Sequence, residues 1–141
     1  MNKTYDEEQR ERDERNFRTC KGISDELDAY VDGYMYRDED GDIHDASEEL
    51  DDIDDVPEDW EQLSVYDWAE DVLDVSYLIG SDGQYRAVKY VVATGGPHIV
   101  CDTESNYVEL YWWGESARYE MSRRAANALD EMASEMYESI R

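Results

Sequence analysis

Between residues 25 and 74 the chain carries 22 Asp and Glu side chains against a single base, Arg37. Like charges at this density repel one another, so a fold must spread them over solvent-facing surface or meet them with a cation, a basic partner or salt. The densest stretch, DDIDDVPEDWEQL from Asp51 to Leu63, puts seven carboxylates into thirteen residues. Elsewhere the charge is nearly even: residues 1–24 sum to zero and residues 75–141 to −4, within a net charge of −25. Adaptation to saline solvent would distribute acid over the whole chain. The three Lys against ten Arg resemble a halophile's habit, but the balanced first segment argues against it.

A chain of 141 residues is the size of one domain, here a charge-balanced N-terminal helix (1–24), an acidic helix, hairpin and loop region (25–74), and a sheet with a C-terminal helix (75–141). With 40% apolar residues, 12 Tyr and 4 Trp, it is far richer in rings than a disordered acidic tail. No apolar run approaches the ~20 residues needed to cross a bilayer, and the N-terminus has no signal-peptide apolar region, so a cytoplasmic location is expected. Cys20 and Cys101 belong to no CxxC pair and read as buried thiols. Asn2-Lys3-Thr4 matches a glycosylation sequon without any sign of secretion.

Acid-to-base pairs four residues apart (Asp6 with Arg10, Glu8 with Arg12, Glu11 with Arg15, Glu14 with Arg18) predict a solvated or partner-dependent helix over 5–17. Gly22 then reads as a helix stop and Ser24 as the cap of a second, short helix over 25–31 that buries Leu27, Tyr30 and Val31. Asp40-Gly41 marks a hairpin with Tyr34 and Tyr36 on one face and Ile43 on the returning strand. Residues 45–59 read as a loop with one irregular helical turn. From Glu58 a helical spacing runs through Trp60, Leu63, Tyr66, Ala69, Val72 and Leu73, with Pro57 at its start.

Strands are predicted over 75–79, 85–93, 98–102, 107–113 and 117–121, joined at Ser81-Asp82-Gly83, Thr94-Gly95-Gly96-Pro97 and Glu104-Ser105-Asn106. Val108, Leu110 and Trp112 share one face of their strand, and Tyr107, Glu109, Tyr111 and Trp113 the other. Ser122 caps a final helix with the apolar stripe Ala125, Leu129, Met132, Ala133, Met136 and Ile140. The expected fold is α+β: a four- or five-stranded antiparallel sheet, the C-terminal helix on one face, and acidic helical and hairpin elements before it.

No catalytic, cofactor or metal signature stands out. If Gly41 were the sixth residue of a calcium loop, Tyr36 and Ser47 would fill the first and twelfth positions, where carboxylates are required. His44 and His98 lie on separate elements with no nucleophile beside them, and Gly95-Gly96-Pro97 opens no helix and precedes no Lys. Direct nucleic-acid binding by Tyr107, Tyr111, Trp112 and Trp113 would need a positive groove that an acidic chain does not supply. An exposed aromatic face rimmed by charge would instead mark a protein partner.

Duplex DNA carries one negative charge per about 1.7 Å of axis, so 22 carboxylates match roughly 37 Å of duplex, about the width of a domain this size. Small, acidic and without catalytic residues, the chain resembles the DNA-mimic inhibitors that phages and mobile elements direct against restriction enzymes, CRISPR effectors and other DNA-handling proteins. That resemblance lies in size and charge, centred on residues 25–74. It implies a non-enzymatic inhibitor in a bacterial host cell, binding a basic DNA-binding protein. The phosphate-like field would come from Asp38, Glu39, Asp40, Asp42, Asp45, Glu48, Glu49, Asp51, Asp52, Asp54, Asp55, Glu58 and Asp59, with Tyr34, Tyr36 and Trp60 as aromatic anchors. The alternatives are an acidic adaptor that docks a basic protein without competing for nucleic acid, and an enzyme with a carboxylate metal site.

Overall fold

The computed structural model describes residues 4–141; Asn2 and Lys3 of the sequon lie outside the described residues. The chain opens with one long helix, α1 (Tyr5–Val31), started by a capping box: Thr4 accepts from the Glu7 N–H, and the Glu7 carboxylate accepts from the Thr4 N–H. The expected break at Gly22 is absent. Asn16, Cys20, Ser24 and Leu27 recur at intervals of four, four and three and are all buried, so one stripe runs through the glycine. A helical Gly costs about 1 kcal/mol, less than burial of such a stripe contributes. Residues 5–17 are exposed apart from Asn16 and the half-buried Gln9 and Arg12, as the solvated helix of the sequence reading expects, but the helix runs on into the core, and Arg12, expected to pair with Glu8, reaches Glu115 at 3.0 Å instead.

After α1 come β1 (Met35–Arg37), β2 (Ile43–Asp45), α2 (Ala46–Glu49), a 3-10 turn at Ile53–Asp55, β3 (Glu61–Gln62) and α3 (Val65–Glu70). The helix expected from Glu58 starts only at Ser64. There a second capping box pairs Ser64 with Asp67, and residues 61–62 are drawn into a three-stranded sheet of order β2-β1-β3. Next follow β4 (Asp74–Ile79), β5 (Tyr85–Ala93), β6 (His98–Asp102), β7 (Tyr107–Trp112), β8 (Glu115–Glu120) and α4 (Arg123–Ile140). These five strands form an antiparallel meander in which each pairs with its successor. The Gly96–Pro97 peptide in the β5–β6 turn is cis. The fold is α+β, as expected.

Helix α1 packs on β7 and β8, α4 packs on β5, and α1, α3 and α4 touch one another, so all three lie on the same side of the sheet. The C-terminal helix thus shares its face with α1 instead of covering it alone. Between the layers sit Leu27, Val88, Tyr90, Val108, Leu110 and Leu129, with α4 held at its start by Ser122, which accepts from the Ala125 N–H. Met136 and Ile140, expected in the apolar stripe, are exposed. Cys20 and Cys101 are free and fully buried in this core, and burial pushes their thiols up to about 11 and about 12.

The second face of the sheet, with Leu78, Lys89, Tyr107, Glu109, Tyr111 and Arg118, meets none of these helices. Trp113 does not join that face. It forms the β7–β8 turn with Gly114, at φ of 53° and 78°, and is 89% exposed. Two central residues with positive φ make a type I′ turn, which Asn-Gly suits and a bulky first residue does not.

Two outcomes follow for urea unfolding. Leu27→Ala lowers stability by about 2–5 kcal/mol, because it empties a core position; a change below ~1 kcal/mol would mean that α1 does not belong to the core. Trp113→Asn raises stability by up to about 1 kcal/mol, since Asn tolerates the left-handed conformation; an unchanged midpoint would mean that the turn carries no strain.

Candidate functional site

The acids of residues 38–59 lie on a unit pinned to the core of the molecule by Met35 and Leu63, with Ala46 buried as well. Backbone bonds tie the same points together: the Ala46 N–H donates to the Tyr34 carbonyl and the Leu63 N–H to the Met35 carbonyl, both at 2.8 Å. Within the unit β1 pairs with β2 and with β3, placing Tyr36 opposite His44 and Gln62, and Arg37 opposite Ile43 and Glu61. Ile43 lies on the returning strand, as expected, and shares a face with Arg37.

Three of the candidate acids serve the local backbone. Asp38 Oδ1 accepts from the N–H groups of Asp40 and Asp42, each at 2.9 Å, and so closes the hairpin around Gly41. Asp45 caps α2 by accepting from the Ser47 N–H at 3.0 Å, and Asp52 caps the 3-10 turn by accepting from the Asp54 N–H at 2.9 Å. The acidic segment thus has a framework of its own and is not a bare loop.

Four of the sixteen candidates converge on His44, a residue that the sequence reading set aside. Its Nε2 lies 2.7 Å from Asp38 Oδ2 and its Nδ1 2.8 Å from Glu49 Oε2. Its ring stacks on Trp60 with centroids 4.3 Å apart and planes 12° from parallel, and Tyr36 lies 6.3 Å from Trp60. The signal for this cluster was available: five residues between β1 and β2 put position 44 opposite position 36. The two carboxylates raise the His44 pKa by hydrogen bonding, and in turn His44 and the hairpin N–H groups lower that of Asp38.

A second pairing joins two acids. Glu39 and Asp59 share a hydrogen bond, which with mutual repulsion lifts the Glu39 pKa above the ordinary carboxyl range. The side chains of Asp40, Asp42, Glu48, Asp51, Asp54, Asp55 and Glu58 are exposed, and among the described residues they make no hydrogen bond or ion pair. Tyr34 stands apart from the cluster, near Arg124. Arg37 turns to Glu61 at 3.7 Å and leaves those seven acids uncompensated.

Among the described residues no group of three or more His, Cys, Asp or Glu is placed to hold a metal ion, and no helix is long and apolar enough to cross a membrane. What the unit offers chemically is a field of fixed negative charge around an aromatic and imidazole centre.

Because the folded protein raises the His44 pKa, its clamp contributes fully below the ordinary value of about 6.5 and is lost as the pH rises through the raised value. Titration of His44 by NMR should give a midpoint above that ordinary value. The stability lost as the pH rises through the midpoint should be absent in His44→Gln. A midpoint at or below the ordinary value would remove the clamp from the account. No known family model, curated protein or solved structure matches this chain.

Proposed function

We propose that this protein is an inhibitor that binds the basic nucleic-acid-binding surface of a bacterial defence or DNA-processing protein, such as a CRISPR effector or a restriction enzyme, and blocks its DNA by mimicking it. One observation carries the reading: seven exposed carboxylates without partners sit on a backbone fixed by its own caps and hairpin bonds. A pre-ordered acidic surface loses little conformational entropy when it meets a basic groove, and its field speeds the encounter. The repulsion that the isolated protein tolerates is relieved on contact. Tyr36 and Trp60, at the centre of the unit, supply the kind of aromatic anchor that dominates interface energies. No catalytic step is assigned to the protein, and its place of action is the cytoplasm of a bacterial host.

The test is capture of partners from bacterial lysate at low and at high salt, followed by a DNA-binding assay on each eluted partner with and without the protein. A basic partner should elute with salt and lose its DNA in competition. Converting Asp40, Asp42, Asp51, Asp54 and Asp55 together to Asn should abolish capture in a protein that still unfolds cooperatively. Each single change should cost less than about 1 kcal/mol of binding. A partner that keeps its DNA while bound would make the acidic unit a docking surface and the protein an adaptor.

A further inference from the structure

A cleft of about 220 Å³ opens between α1, α3 and the end of β5, away from the His44 cluster. Its floor is aromatic: Tyr30 and Trp68 are each only 7% exposed. Ile23 of α1 and Val92 of β5 form apolar walls, and two carboxylates, Glu26 and Asp71, stand exposed at its rim.

The Tyr30 hydroxyl makes the cleft more than a gap between helices. It forms no hydrogen bond among the described residues, and no side-chain oxygen that is fully sealed from solvent lacks a partner. The hydroxyl of a side chain more than nine-tenths buried is therefore reached by solvent, and Glu26 and Asp71, the first charges to act on it, line the same cleft. A buried phenol normally finds a partner, and this one faces a space that a ligand can enter. The charges around it are negative: Glu26, Asp71 and Asp67 all act on Tyr30, and Arg37, the one base in electrostatic reach of it, pairs with Glu61. Neither Glu26 nor Asp71 has an ion-pair partner among the described residues.

From this geometry we infer that the cleft binds the end of an aliphatic cation, an alkylguanidinium or alkylammonium group, with its charge between Glu26 and Asp71, a donor to the Tyr30 hydroxyl and its stem against Ile23 and Val92. The volume falls below the ~300 Å³ at which drug-sized sites begin and suits a group as large as a side chain. A hard divalent cation binds through oxygens and retained water, to which the apolar walls of Ile23 and Val92 offer nothing. The aromatic floor adds cation–π attraction that a metal ion's hydration shell would forfeit. The same chemistry is carried by a free guanidino compound or polyamine and by an Arg or Lys side chain of a bound protein. This site stands independently of the DNA-mimic reading. Partial burial and the Asp71 charge raise the Glu26 pKa, so its carboxylate is held at some cost until a cation arrives.

The full chain, observed by ¹H–¹⁵N NMR, is titrated with ethylguanidinium, with its neutral isostere ethylurea, and with a blocked Gly-Arg-Gly peptide. Ethylguanidinium should produce saturable shifts at the Trp68 indole and the Tyr30 amide in the millimolar range expected for so few heavy atoms, and ethylurea should not. Saturation by the peptide as well identifies a side chain as the source; saturation by the free cation alone identifies a small molecule. Glu26→Gln and Asp71→Asn should each weaken ethylguanidinium by about tenfold or more while the spectrum stays dispersed. Neither change empties a core position, so both variants should fold. Equal shifts with ethylurea, shifts that never saturate, or undiminished binding in both variants would overturn the site.

Discussion

Burial of Met35 and Leu63 in the core holds the acidic unit to the molecule against the repulsion of the carboxylates that it carries. Two exposed charges ~6 Å apart in water repel by about 0.7 kcal/mol before screening, and salt at ~0.15 M confines that repulsion to near neighbours. Full burial of a Leu or Met side chain contributes about 1.5–3 kcal/mol, so a few such pins outweigh several neighbouring pairs. The local bonds to Asp38, Asp45 and Asp52 then set where the remaining charges point. Removing the pins would leave the caps too weak to keep the unit folded.

The sheet, its turns and the C-terminal helix were legible in the sequence because each is a local signal: alternation on β7, Asp82-Gly83 between β4 and β5, and a cap followed by a stripe at α4. What was not legible depended on distant packing. The continuity of α1 could not be read while Gly22 was taken as a stop and Ser24 as a cap; Ser24, with the polar Asn16, is in fact a member of the buried stripe. The start of α3 was misplaced because Trp60 and Leu63 fit a helical spacing by chance, although Ser64-Val-Tyr-Asp67 already held a capping box. Trp60 instead stacks on His44, a contact that only the fold of the hairpin back onto residues 57–60 creates.

The candidate acids were easy to name and hard to sort. Composition cannot distinguish a carboxylate that caps a helix from one that faces solvent, since both occur in the same run of Asp and Glu. Coordinates divide them into backbone servants, the partners of His44, the Glu39–Asp59 pair and a remainder without partners. The acids of the last group are free to meet something else. The Glu26–Asp71 cleft was invisible for a different reason: its residues are 45 positions apart and belong to elements whose docking no local pattern specifies.

Connectivity gives this chain a definite order of assembly. Each strand of the large sheet neighbours its successor, so the meander can zip through short loops, whereas α1 must find β7 and β8 across contacts such as Arg12–Glu115, separated by 103 residues. Closing so long a loop is entropically late. During synthesis α1 leaves the ribosome before the sheet and then waits with its buried stripe unpartnered until β7 and β8 are made. The acidic unit, strung between that helix and the sheet, reaches its final position only when the two ends of the fold meet.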